Sequence, residues 1–128
     1  MHTLVALPHT LPTGGTTATE AITDFVPGFR GRIEAWSFVT TVAFTGSGAT
    51  RTPNLEINST NVTGSDGVAL ALADGSVVGE VKALGTITAL NDFDADDTIS
   101  IEWAASGTTF DAGAGYFLLR LRQELQDS

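Results

Sequence analysis

A chain of 128 residues can close one core unaided, and the absence of cysteine removes disulfides, thiolate metal sites and cysteine nucleophiles together. Six Lys and Arg against fifteen Asp and Glu leave a formal charge of −9. That charge argues against nucleic acid or an anionic membrane as partner, because affinity for either rests on basic side chains meeting phosphate.

Nineteen threonines, fourteen glycines and a single lysine, Lys82, favour short strands joined by turns over helices. Residues 1–19 hold Pro8, Pro12, Gly14 and Gly15, with Leu4, Val5, Leu7 and Leu11 between them. No helical or strict strand period fits, so the segment reads as an extended arm. Four apolar residues in such an arm predict that it docks, either on a neighbouring protein or on its own domain as an edge strand. The start lacks the basic leader of a secretion signal, and no stretch approaches the roughly 18 apolar residues of a membrane helix. The chain is accordingly expected to be made and dissolved in a cytoplasm.

Residues 20–128 read as one domain. Ala21–Phe25 is a short extended piece closed by Val26-Pro27-Gly28-Phe29, where proline followed by glycine suits a type II turn. Gly31–Phe44 is the longest strand candidate. One face carries Ile33, Ala35, Ser37, Val39, Thr41 and Ala43; the other carries Glu34, Trp36, Phe38, Thr40, Val42 and Phe44. A strand with one wet side alternates cleanly, and this one is apolar on both. Trp36, Phe38 and Phe44 are therefore expected under cover from the arm or from another subunit.

Leu55–Ile57 is a strand centre, followed by turn-rich Asn58–Asn61. Val68–Leu72 is a short apolar run, and Asp74-Gly75 signals a hairpin. Val77–Val81 and Leu84–Leu90 predict two strands, or one broken at Gly85. Thr98–Trp103 places Ile99, Ile101 and Trp103 inward. Gly107–Gly115 reads as a loop, and Tyr116–Leu121 as a last strand with Phe117, Leu119 and Leu121 inward and Arg120 and Arg122 outward. Glu124–Ser128 could form a frayed turn. The expected fold is thus all-β: a single antiparallel sandwich of about seven to nine strands.

Candidate chemistry is thin. Asp92, Asp94 and Asp96 stand at alternate positions, as oxygen ligands do in a calcium loop. The sharp-turn position holds Asp97 instead of glycine, however, and position 12 holds Trp103 instead of glutamate. A solvated acidic turn is the competing account. His2 and His9 are too few for a metal site and are expected in solvent. No histidine lies beyond the arm to serve a nucleophile, and no phosphate-binding loop is present. Neither an enzyme nor a cofactor is expected.

Three stretches carry a resemblance to a known family. They are Val26-Pro27-Gly28-Phe29-Arg30-Gly31-Arg32-Ile33-Glu34-Ala35-Trp36-Ser37-Phe38-Val39, Asn54–Gly64 and Asp97–Glu102. Together they resemble decoration (cement) proteins on the heads of tailed bacteriophages, whose fold is a jelly-roll-like sandwich. The resemblance spans about residues 20–122 and transfers no catalytic residue. It implies a virion structural protein on the capsid exterior, a homotrimer clamping subunits of the major capsid protein. On that expectation Leu4, Val5, Leu7, Leu11, Trp36, Phe38 and Phe44 meet the capsid or sister subunits. The alternative is a carbohydrate-binding or host-adhesion module of a head fibre or tail, with Trp36, Trp103 and Tyr116 stacking on sugar rings.

Overall fold

The computed structural model describes residues 2–13 and 17–124. Beyond Glu124, the expected frayed turn lies outside the described residues. The strands in chain order are β1 His2–Thr10, β2 Thr19–Phe25, β3 Gly31–Gly46, β4 Thr50–Arg51, β5 Pro53–Ile57, β6 Thr60–Asn61, β7 Leu70–Ala71, β8 Val81–Ala83, β9 Asp92–Phe93, β10 Ile99–Trp103 and β11 Phe110–Gln123. A single helical turn, Leu72–Gly75, interrupts them.

The expected all-β sandwich is what forms. One sheet, here sheet A, runs β1-β11-β3-β8, with β9 also on β3; the other, sheet B, runs β2-β10-β5-β6. The pair β4-β7 is a small extra ribbon. With the short β4, β7 and β9 set aside, the first strand pairs with the last, the last with the third, and the third with the sixth. The second pairs with the seventh, the seventh with the fourth, and the fourth with the fifth. That is the winding of a jelly roll, two Greek keys folded over one core.

The N-terminal segment, expected as an arm, docks on its own domain. β1 pairs antiparallel with β11 from His2–Arg122 to Thr10–Ala114, and Leu11 N–H continues the ladder to Gly113 O at 3.0 Å. Residues 2–10 are therefore a sandwich strand and not an arm outside it. That register turns the odd-numbered amides of β1 towards β11. Pro8, lacking an N–H, faces the open edge, where it costs the ladder nothing.

β3 corrects the sequence reading most sharply. Leu121 pairs with Ile33 but Arg120 with Ala35, so one extra residue bulges the strand and reverses its phase. Ile33 and Trp36 both point inward, at 0 % and 2 % exposure. Trp36, Phe38 and Phe44, expected at a subunit interface, lie in the chain's own core. The Trp36 ring stacks on Phe117 at 5.7 Å, and Phe38 meets Phe117 edge-on at 5.0 Å. Phe44 meets Phe110 edge-on at 5.5 Å. The turn Leu72–Gly75 roofs Phe44: a Cβ on Gly75 would stand 2.4 Å from its ring, so only glycine fits. Asp74 accepts the Ala71 N–H at 2.8 Å and holds this turn in place of the expected hairpin.

Two further segments differ from expectation. Gly107–Gly115 is not all loop, because β11 starts at Phe110. Gly115 is needed inside that strand, since a Cβ there would lie 2.1 Å from Val39 O. Of Val77–Leu90 only Val81–Ala83 is strand. Leu84 is pulled inward, where its carbonyl accepts the Trp36 indole N–H at 2.8 Å and its N–H donates to Trp36 O at 3.1 Å. The chain then crosses to sheet B, with Thr63 bridging Ala89.

Phe117 is the hub of this core, touching Trp36, Phe38, Trp103 and His9. Phe117→Ala is expected to destabilise the fold by about 3–5 kcal/mol, read as a lowered urea midpoint. Thr40→Val should do the reverse by roughly 1 kcal/mol, because the buried Thr40 hydroxyl has no hydrogen-bond partner among the described residues.

Candidate binding surface

Paired residues on neighbouring strands share a face, so the registers of sheet A can be read across it. One row runs Pro8, Tyr116, Val39, Val81; the next runs Ala6, Leu118, Ser37, Ala83. Leu4, Arg120 and Ala35 align beyond them on one side, and Thr10, Ala114 and Val42 on the other. All these rows lie on the side away from the core, whose lining comes from Phe38, Phe117 and Leu119. The outer face of sheet A is thus apolar across four strands. Its margins are open to solvent: Leu4 is 64 % exposed, Val42 51 % and Val81 65 %. Tyr116, Leu118 and Val39 stand at its middle, on the two central strands.

The outer face of sheet B is the opposite. Asn54, Glu56, Ser100 and Glu102 alternate there with buried Leu55, Ile57, Ile99 and Ile101. Strands β2, β5, β6 and β10 carry four acids (Glu20, Asp24, Glu56, Glu102) and no Lys or Arg. The Glu20 carboxyl is pushed above its ordinary value by burial, by a hydrogen bond with Glu102, and by repulsion from Glu102, Glu56 and Asp24. Carboxylates so crowded suit water, and an apolar face four strands wide does not. A solvent-facing sheet should alternate as sheet B does.

The sequence-predicted site residues fall in different places. Of the seven expected at an interface, Leu4 alone is exposed; Leu11 joins Trp36, Phe38 and Phe44 in the core, and Val5 and Leu7 pack against it. Trp103 is fully buried and Trp36 nearly so, so neither offers a ring to a sugar. The candidate face consists instead of Pro8, Val39, Val42, Val81 and Leu118, which no local pattern in the sequence marks out. Tyr116, expected to stack on sugar rings, stands among them.

Asp92, Asp94 and Asp96 do not converge. Asp92 accepts from Arg32 Nε at 3.1 Å. The organiser of this turn is Asp97, which accepts the Asp94 N–H at 2.8 Å and an Asn58 amide N–H at 2.8 Å. The Asp94 N–H, then the Asn58 amide, hold the Asp97 carboxyl below its usual value. Among the described residues, no three acidic or histidine side chains gather closely enough to hold a metal ion.

His2 is exposed and lies 3.5 Å from Glu34. His9, expected in solvent, is instead half-buried in the core-facing row of β1. Its Nε2 accepts the Trp103 indole N–H at 2.9 Å, which places the neutral ring's proton on Nδ1. Arg51, 1 % exposed, donates from Nε to Ala104 O at 2.9 Å and also reaches Thr17 O, tying β4 to the chain on either side of β2 and β10.

Neither a family model, nor a curated protein, nor a solved structure matches the chain.

Burial holds the His9 imidazole below its ordinary pKa of 6.5. The unfolded chain then takes up a proton that the native chain resists, so stability is full above about pH 6.5 and falls as pH drops towards the native value. Urea midpoints at pH 7.5 and pH 5 should therefore differ more in the natural chain than in His9→Gln.

Proposed function

We propose that the chain is a non-enzymatic structural protein of a virion exterior, a decoration protein that stabilises the head of a tailed bacteriophage. The observation that carries this reading is the outer face of sheet A: a broad apolar surface of the kind that other protein covers. The depression on it, lined by Pro8, His9, Thr10, Thr41, Ala114 and Gly115, is shallow and open.

Charge is consistent with that setting. Carboxylates on sheet B and along the Asp92–Asp97 turn disfavour contact with packaged nucleic acid and suit a surface turned to solvent. The jelly-roll winding is one that viral shell domains use, which supports the reading by analogy of fold alone. The three sequence stretches that resemble decoration proteins lie on β3, β5–β6 and the start of β10, and so in both sheets of the sandwich. A protein that binds the assembled shell but not its free subunits raises the shell's stability by mass action. The sugar-binding alternative loses its two tryptophans to the core.

The test is co-sedimentation with emptied heads of tailed bacteriophages. Saturable pelleting, with a rise in the temperature at which the heads rupture, is the expected outcome. Protein left in the supernatant at every concentration would refute the capsid reading.

A further inference from the structure

We infer that the outer face of sheet A is where two copies of this chain meet, sheet on sheet. The inference rests on the reading that this face is covered by protein, and it names the occupant; it does not require a capsid.

Charge selects a second copy. Two molecules each carrying −9 repel wherever their acids approach. Strands β1, β3, β8, β9 and β11 hold three of the fifteen acids, Glu34, Asp92 and Asp111, against four of the six bases, Arg32, Lys82, Arg120 and Arg122. Within the chain Glu34 lies 3.6 Å from Arg120 and 3.5 Å from His2. Arg32 pairs with Asp92 at 3.1 Å and Glu124 at 3.7 Å, and Lys82 pairs with Asp74 at 3.3 Å, which leaves Arg122 as the base for a charge across the contact. Sheet A is thus the side on which copies can approach with their acidic faces turned outward. It also needs an apolar partner, and a second copy brings one.

The same charges orient the pair. His2, Arg32, Arg120 and Arg122 cluster at one end of the face, while Asp111 lies at the other. A two-fold axis along the strands would set basic end on basic end. An axis lying in the face and across the strands sets Arg122 of one copy over Asp111 of the other. Tyr116 lies midway between those residues on β11, so the row Pro8, Tyr116, Val39, Val81 falls along the axis. An isologous contact of this kind closes at two copies.

Area sets the strength. Four strands about 4.8 Å apart, over seven residues rising about 3.3 Å each, make a face on the order of 400 Å². Two such faces, with Val77 and Val78 exposed nearby at 63 % and 61 %, approach the roughly 1,000 Å² where specific interfaces begin. The expected pair is therefore reversible and concentration-dependent.

Light scattering across a dilution series tests this. The natural chain should pass from 13.3 kDa towards twice that mass as concentration rises into the hundreds of micromolar. Leu118→Glu should stay at the single-chain mass throughout. Val81→Glu, at an exposed edge position where folding is not at risk, should weaken pairing at least tenfold with an unchanged circular dichroism spectrum. Tyr116→Cys, the sole thiol in its chain, should be joined to its copy by a short bismaleimide. A natural chain that stays single at the highest concentration overturns the inference. So does a trimer, or a pair indifferent to both glutamate variants. The capsid reading fails separately: a chain that pairs through this face yet never pellets with heads loses the capsid and keeps the pairing, and one that pellets as a single copy does the reverse.

Discussion

Sheet A is apolar on both sides, and the rest of the molecule is arranged around that constraint. Its inner side is satisfied within the chain: Ile33, Trp36, Phe38, Phe117, Leu119 and Leu121 meet the inward residues of sheet B. Its outer side is covered by nothing among the described residues. At roughly 25 cal/mol per Å² of apolar surface removed from water, a face of some hundreds of Å² represents several kcal/mol open to whatever protein covers it. Eight of the fifteen acids lie on sheet B and in the Asp92–Asp97 segment, so the outer face of sheet B is the one to keep wet.

The inner side of the sheet is built around one aromatic residue. Phe117 sits under the middle of sheet A and collects Trp36, Phe38, Trp103 and His9 around it. β11 alternates across the sheet, with Ala114, Tyr116 and Leu118 outward and Gly115, Phe117 and Leu119 inward. The edges are tied down by polar contacts. His9 joins β1 to Trp103 on the facing sheet, and Arg51 ties β4 to the backbone near β2 and β10. These polar side chains act by closing the sandwich, and none of them is aimed at a ligand.

Much of the fold was legible from local pattern. Strict alternation placed Ile99, Ile101 and Trp103 inward, and Pro27-Gly28 marked a turn in which Gly28 does take a positive φ of 82°. The strand at Gly31 was rightly seen as apolar on both faces. Which face would lie bare was not legible, because bulges beside Ala35 and at Thr41 shift the phase, and bulges follow from pairing with β11 far along the chain. The binding face was hidden for the same reason. Pro8, Tyr116, Val39 and Val81 become neighbours only through three strand registers, and no one of them stands out in sequence. His9 was misplaced because its partner, Trp103, lies 94 residues away. Glycine misled at the start of β11, where Gly113 and Gly115 serve close packing and do not mark a loop.

The central claim is that the outer face of sheet A is covered when the protein is in its working state. Side-chain footprinting with hydroxyl radicals reads this directly, by comparing dilute chain with chain in its assembled form. Labelling of Tyr116 and Leu118 should fall on assembly, while residues around Glu56 and Glu102 on sheet B label as before. Unchanged labelling of Tyr116 and Leu118, with protection appearing on sheet B instead, would contradict it.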